Sequence, residues 1–515
     1  MTSTADLAAP VGSNKRHPTG LYVLFGAEMW ERFSYYGMRA LLVLYLTKHL
    51  HLEEKDALSI YATYTGLVYL TPLLGGFLAD RFLGQRKAIL IGGSLMALGH
   101  FTMAFEAWLN VALGLIILGN GFFKPNISMM VGQLYPANDS RRDGAYTIFY
   151  MGINTGAFLA PLVCGTLGES PRFGWHVGFA AAGVGMVLGL ITFIANQKRL
   201  GAGGYPPSRA GIQTDRLLGI DWFHIAFLTL TGAGLVYLAL LPARAIDRAV
   251  PVYGWLLVLG YWLVLAIVMG GITAFLTRSR GAAESDLPSE QADEVSRHEP
   301  FTSAEWQRVL VILIVAFFSI LFWMGFEQAG GTLSLFADQK TERVILGRTF
   351  PASWYQSINP LLIVLLAPVP IMIWSALDRT RFGLTSTAKM GLGLVLIGIG
   401  FIVMSRAEHR ASMVGRVGPQ WLAIVYLMNT LGELCLSPIG LSLVNKLAPP
   451  RIASLMMAVW FLCTAIANYF AGMLSQWIEA AHINLWTFLT YSSIVPGLIL
   501  LALTPLLKRM GHGRI

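Results

Sequence analysis

Charge is scarce in this chain. Only 13% of its 515 residues are Asp, Glu, Lys or Arg, while 55% are hydrophobic; soluble domains carry about 25% charged residues. The deficit excludes an ordinary soluble globular protein. Cysteine is nearly absent too. Cys164, Cys435 and Cys463 sit in apolar stretches without metal-ligand spacing, so they read as small core residues and carry no redox information. No Walker loop, dinucleotide-binding glycine fingerprint or paired-histidine metal motif is visible, which leaves direct use of ATP without support. An enzyme needs a nucleophile, metal or cofactor set, and none stands out; the expectation is a non-enzyme without cofactor. A cleavable leader is not expected either, because the first apolar run carries Glu28, Glu31 and Arg32, which a signal core does not tolerate.

Long apolar runs are what the chain has instead. Fourteen runs of about 20 residues, the length needed to cross a bilayer, fall near 21–47, 57–79, 87–108, 110–133, 145–165, 175–195, 223–242, 252–277, 307–335, 353–376, 384–404, 420–444, 453–477 and 484–507. They are continuously apolar, whereas β-barrel strands alternate over about ten residues. The expected class is an all-α membrane protein. With both termini inside, most of the 37 Lys and Arg fall on the cytoplasmic side, as the positive-inside rule requires. The net charge of +9 is therefore a topological signal and does not point to nucleic acid. One outer loop, with Arg406, Arg410 and Arg416, runs against the rule.

Two hydrophilic stretches, 197–221 and 278–304, bracket a hairpin of two spans with almost no intramembrane charge. The other twelve spans divide six and six. This predicts an N-terminal bundle over 1–198, a linker with two extra spans over 199–304, and a C-terminal bundle over 305–515. An internal echo supports the division. The fourth span of each half ends on prolines at matching spacing, Pro125 and Pro136 against Pro438 and Pro449, with Val131 and Leu134 matched by Val444 and Leu447. Such repeats fit two halves rocking about a midplane site.

Against this apolar background a few ionised residues are conspicuous. Placing one at bilayer depth costs several kcal/mol, so such groups are usually paired, turned from lipid and functional. Glu28, Glu31, Arg32, Tyr35, Tyr36 and Arg39 share one helix face, within an arc of about 140° at roughly 100° per residue. Glu28 and Arg32 have the i,i+4 spacing of a helical ion pair. Lys124, Glu327, Asn359 and Glu433 stand out in later spans, with Tyr69, Asn154, Trp323, Trp460 and Asn468 on the helices that carry these charges. Lys124 and Glu433 occupy the same element of the two halves. The acids Glu28, Glu31, Glu327 and Glu433 outnumber Arg32, Arg39 and Lys124 by one. A surplus carboxylate favours taking up a proton, since like charges disfavour each other's ionised form. It also suits a zwitterion, whose amine faces a carboxylate while its carboxylate faces Arg or Lys. These residues indicate a secondary transporter with a wet, zwitterion-compatible centre and a proton partner.

The motifs themselves resemble a known family. Glu28-x-x-Glu31-Arg32-Phe33 followed by Tyr35-Tyr36-Gly37 is similar to the first-helix signature of proton-coupled oligopeptide transporters, within the major facilitator superfamily. Gly75-Gly-Phe-Leu-Ala-Asp-Arg-Phe-Leu-Gly84 resembles the loop after their second helix, and Phe149-Tyr-Met-Gly-Ile-Asn-Thr-Gly156 their fifth-helix signature. Lys124-Pro-Asn126, Trp323…Glu327, Asn359 and Glu433…Pro438 extend the likeness over nearly the whole chain. The resemblance implies the major facilitator fold and symport of di- and tripeptides with protons by alternating access. It implies that Glu28, Glu31 and Arg32, with Lys124 and Glu327, couple protons. An outer Arg39–Glu327 bridge would alternate with an inner Lys124–Glu433 bridge. The peptide carboxylate would meet Arg39 and Lys124, and its amine Glu433, Asn154 and Asn359, with Tyr35, Tyr69, Trp323 and Trp460 shaping side-chain pockets. The extra hairpin resembles that of prokaryotic members and implies a bacterial inner membrane. A monomer is expected, with peptide, protons and lipid as its partners. A relative that moves nitrate or another small anion or zwitterion is the alternative.

Overall fold

A computed structural model describes residues 16–136, 139, 141–201, 203–205, 301–345, 347–377, 379–380, 383–449 and 452–513. The expected spans 223–242 and 252–277 lie outside these residues. The rest is helical apart from loops and one small hairpin, Val344–Ile345 paired antiparallel with Arg348–Thr349. In the first part of the chain α1 is Thr19–Lys48, α2 Glu54–Leu70, α3 Pro72–Leu78, α4 Gln85–Thr102, α5 Leu109–Gln133, α6 Arg141–Gly168 and α7 Trp175–Ala195. In the last part α8 is Ser303–Phe326, α9 Thr332–Gln339, α10 Ile358–Leu366, α11 Pro368–Leu377, α12 Ser386–Val414, α13 Gln420–Leu447, α14 Ala453–Ala480 and α15 Leu485–Met510. Ten helical stretches among the described residues are long and apolar enough to cross a bilayer; α1 and α4 pack among them.

Local chemistry explains where several helices begin. Thr302 and Glu305 form a reciprocal capping box at the start of α8. Thr385 caps α12 by accepting from the Ala388 N–H, and Asn484 caps α15 by accepting from the Thr487 N–H. Each side chain satisfies a backbone donor that has no partner inside the helix. Small residues let helices approach closely, as expected where apolar helices associate without hydrophobic drive. A Cβ at Gly156 would collide with the Met29 carbonyl of α1, and one at Gly75 with the Gly121 carbonyl of α5. Both echo prolines, Pro125 and Pro438, lie inside helices, where each removes a backbone donor.

Packing repeats between the two parts of the chain. The pairs α1–α6, α1–α7, α4–α5 and α4–α7 have counterparts in α8–α14, α8–α15, α12–α13 and α12–α15. The two parts meet through α2 against α14, and through α6 against α10 and the 3-10 turn Ala352–Ser357 that precedes it.

Several expectations change on folding: the run 57–79 divides into α2 and α3, and 353–376 into a 3-10 turn, α10 and α11. The run expected over 307–335 is not one helix: α8 stops at Phe326, a 3-10 turn covers Glu327–Gly330, and α9 follows. Glu327 is thereby the C-terminal cap of α8. The loop expected to carry Arg406 and Arg410 is a continuation of α12, which runs about ten residues beyond the apolar stretch to Val414. Helix persists past the bilayer-length segment because those residues are ordinary helix formers, and Arg406 and Arg410 are exposed. Their breach of the positive-inside rule is a surface feature of a protruding helix end.

Candidate functional site

The charged face of α1 is folded inward. Glu28, Glu31 and Arg32 are almost completely buried, and Arg39 is 5% exposed. The expected i,i+4 pair forms, with Arg32 Nε 3.4 Å from Glu28 Oε1. Closer still is a two-pronged contact with the adjacent Glu31, whose Oε1 accepts from an Arg32 terminal nitrogen at 2.6 Å and whose Oε2 accepts from Nε. Asn120 of α5 donates to Glu31 Oε1 at 3.1 Å. The Arg32 guanidinium lies 5.0 Å from the Tyr35 ring centre and 5.9 Å from that of Tyr36, so aromatic faces cover the cation. Glu28 accepts no hydrogen bond from the described residues. One carboxylate of the cluster is satisfied and the other keeps free lone pairs.

Arg39 and Glu327 meet from opposite parts of the chain as an ion pair. The Arg39 Nε also donates to the Tyr61 hydroxyl at 2.6 Å. A Cβ at Gly330 would overlap that hydroxyl and approach Arg39 Nε to 3.1 Å, so the glycine makes room for the bridge. Farther along the same end, Lys48 of α1 bonds Asp338 of α9 at 2.8 Å, and Arg343 reaches Asp338 at 2.9 Å and Glu169 at 3.4 Å. Glu169, past the end of α6, accepts the Ala352 and Ser353 backbone N–H groups at 2.9 Å each. These contacts close the molecule at the end where α1 finishes.

On the other side of Arg39 is a small cavity of about 80 Å³ between the two parts of the chain. Tyr36 and Arg39 of α1, Asn154 of α6, Asn359 of α10 and Glu433 of α13 reach its wall, with Phe326, Pro161 and Ile363 as apolar surface. Glu433 accepts from the Asn359 side-chain amide at 2.9 Å, and Asn359 also donates to Thr430 at 3.1 Å. Asn154 donates to the Tyr150 carbonyl at 3.0 Å. The structure thus gathers Arg39, Asn154, Asn359 and Glu433 around one space.

Other expected residues stand off that wall. Lys124 lies over the Tyr69 ring, 5.1 Å from its centre. It feels the charges of Arg32, Glu28, Glu31 and Glu327. No ion pair joins it to Glu433 among the described residues. Tyr35 is buried beside Tyr64, with ring centres 6.5 Å apart. Trp323 packs edge-on to Phe322 and Phe326, and Trp460 is only 7% exposed and fills the space over Gly440. Asn468 donates to the Thr464 carbonyl at 2.9 Å. Sequence reasoning missed Gln356, Tyr426 and Asn429 on the cavity wall, and Tyr61 and Asn120 as partners of buried charges. They are neutral, and a neutral polar residue in an apolar run gives little warning that it faces a cavity.

Comparison with known proteins is consistent in its direction. The sequence pattern of the POT family matches residues 86–203 and 291–491. The chain is 36% identical over 485 residues to the peptide transporter YePEPT of Yersinia enterocolitica, covering 91% of this chain and 89% of the relative. It is 35% identical over 517 residues to a di-/tripeptide transporter of Lactococcus lactis subsp. cremoris, covering 96% and 97%. Among solved structures, a POT peptide transporter in complex with sulfate matches with a TM-score of 0.77 at 36% identity, covering 96% of both chains. A POT family transporter in complex with 5-aminolevulinic acid matches with a TM-score of 0.75 at 31% identity, covering 96% of this chain and 97% of the other.

Proposed function

Because the chain belongs to the POT family of transporters, we propose that it imports di- and tripeptides together with protons by alternating access. It is a multi-pass helical membrane protein and not an enzyme. The observation that supports the reading is one cavity lined by both Arg39 and Glu433, contributed by different parts of the chain. A peptide's carboxylate and amine are opposite charges at its two ends, and an Arg and a Glu on one cavity can match them. Asn154 and Asn359 supply amides near the amine end. Lys124, as a second cation for the carboxylate, and Tyr35, Tyr69, Trp323 and Trp460, as side-chain surroundings, stand off the wall in this structure and rest on the family resemblance.

The contacts at the closed end support a reading of the state. With Arg39 bound to Glu327 and Lys124 apart from Glu433, the molecule is closed outside and ready to release inward. Protonation of Glu327 frees Arg39 and opens the outer side; Lys124 and Glu433 then close the inner side. Glu28, with free lone pairs beside Arg32 and Glu31, is the acceptor that links the proton to this exchange. A ligand moves such an equilibrium only through differential affinity for the two states. Proton and peptide do so by competing for the same Arg, Lys and Glu groups.

The full architecture is fourteen spans in the major facilitator arrangement: a six-helix bundle over 1–198, a linker with two extra spans over 199–304 and a second bundle over 305–515. The repeated packing pairs support the two bundles. The distribution of Lys and Arg supports cytoplasmic termini in a bacterial inner membrane. Each chain has its own cavity between its own halves, so a monomer suffices. Proteoliposomes with an imposed pH gradient test the reading: labelled dialanine should accumulate against its gradient, and nitrate should not. Nitrate uptake without peptide uptake would replace peptide by an anion as the cargo.

A further inference from the structure

Away from the cavity, three groups with metal-binding chemistry converge at the end of the helical assembly where α1 finishes. His49 caps the C-terminus of α1, Glu106 opens the 3-10 turn Glu106–Trp108 between α4 and α5, and His176 is the second residue of α7. One ligand atom from each lies within 4.8 Å of the others. His49 Nε2 is 2.8 Å from Glu106 Oε1. His176 Nδ1 is 3.0 Å from the Met103 carbonyl oxygen. A carbonyl only accepts, so Nδ1 carries the proton and Nε2 keeps its lone pair. A carbonyl on the far ring nitrogen is the usual outer support of a metal-bound imidazole. The Tyr45 ring holds both imidazoles, stacked on His49 at 5.2 Å and edge-on to His176 at 5.9 Å.

We propose that His49, Glu106 and His176 form a binding site for a divalent transition ion of the zinc type. Two imidazoles and one carboxylate make a three-ligand set that Zn²⁺ accepts at about 2.0–2.2 Å, with water in the fourth position. Two ligands of one tetrahedral ion lie about 3.4 Å apart at those bond lengths. The hydrogen-bonded pair at 2.8 Å therefore opens slightly, while a pair at the 4.8 Å limit closes by roughly 1.4 Å. Magnesium and calcium fit less well, since they take oxygen ligands and the site offers two nitrogens. The ion has access from solvent, with the His49 and Glu106 side chains 34% and 55% exposed. Binding ties together the ends of α1, the α4–α5 connection and α7. It does so one residue from Lys48, whose bond to Asp338 crosses between the two parts of the chain.

The test uses the full-length protein in detergent, with any affinity tag removed, titrated with zinc chloride alone at neutral pH and followed by calorimetry. One equivalent should bind in the micromolar range, and His49→Ala and His176→Ala should each lower the affinity by at least about tenfold. Glu106→Gln keeps the side-chain volume and should also weaken binding. Cobalt(II) should give visible ligand-field bands in the wild type that fade in the same three proteins. Retained dialanine uptake without zinc shows that each variant is folded. Unchanged zinc affinity and stoichiometry in His176→Ala, or no binding by the wild type at millimolar zinc, overturns the proposal. Neither result bears on peptide transport, which uses other residues.

Discussion

Replacing Glu327 by Gln removes one charge from the Arg39–Glu327 bridge, proposed above to close the outer end, and changes almost nothing else. Arg39 and Glu327 are 6% and 3% exposed at their side chains, so water cannot make up the loss. Deleting one partner of a buried pair outright costs about 3–5 kcal/mol, because the other charge is left uncompensated. Glutamine is gentler, since its carbonyl still accepts from Arg39 and Tyr61 still holds the Arg39 Nε at 2.6 Å. What remains is the difference between a charge-assisted hydrogen bond, about 1.5–3 kcal/mol, and a neutral one, about 0.5–1.5 kcal/mol. That difference is about 1–2 kcal/mol, or roughly a 5- to 30-fold fall in the outer-closed population relative to the outer-open one. The variant also has no carboxylate for a proton to neutralise at this position. Proton-driven accumulation of dialanine in proteoliposomes should collapse, while exchange between equal internal and external pools persists. Spin labels across the outer end should report a larger open fraction, insensitive to pH. Driven uptake equal to that of the wild type, with an unchanged distance distribution, would refute the gating and coupling assigned to Glu327.

Three further outcomes follow from other parts of the molecule. Glu433→Ala should weaken uptake of free dipeptides more than of amino-blocked ones, by roughly 10- to 150-fold if one charge-assisted contact of about 1.5–3 kcal/mol is lost; equal loss for both would remove the amine from that site. Glu169→Gln retains one acceptor for the Ala352 and Ser353 N–H groups but loses the pair with Arg343, so the outer-closed state should be depopulated severalfold, as read by cysteine accessibility at that end. Asp139, outside the spans, is bound by the side chain and backbone N–H of Arg141, which hold its carboxyl down at about 2. A depressed carboxylate contributes above its unfolded value and loses that contribution only as pH falls through about 2. Asp139→Asn should therefore leave the pH profile of uptake between about 5 and 8 unchanged, and a shifted profile would place a coupling group outside the bilayer.

Much of the architecture was legible because the bilayer imposes a one-dimensional rule: a span must be about 20 residues of apolar chain. The charged residues were legible for the complementary reason, since an ionised side chain in such a run is too costly to be incidental. Breaks within spans were less visible. α8 ends at Phe326, a few residues before Gly330-Gly331; a glycine pair in an apolar run signals a break without fixing where it falls. Arg406 and Arg410 were misplaced into a loop because hydropathy reports where the apolar segment stops and not where the helix does.

The sequence by itself determined that this is a helical membrane protein with buried charges on its first helix, because burial of polar groups in lipid is penalised residue by residue. Tertiary structure decided the partners the sequence left open: Arg39 takes Tyr61 beside the expected Glu327, Asn120 joins Glu31, and Glu433 takes the amide of Asn359. It also assembled His49, Glu106 and His176 from three separate elements. Electrostatic and coordinate pairing act through space over a few ångströms, and only the crossing of helices far apart in sequence sets those distances.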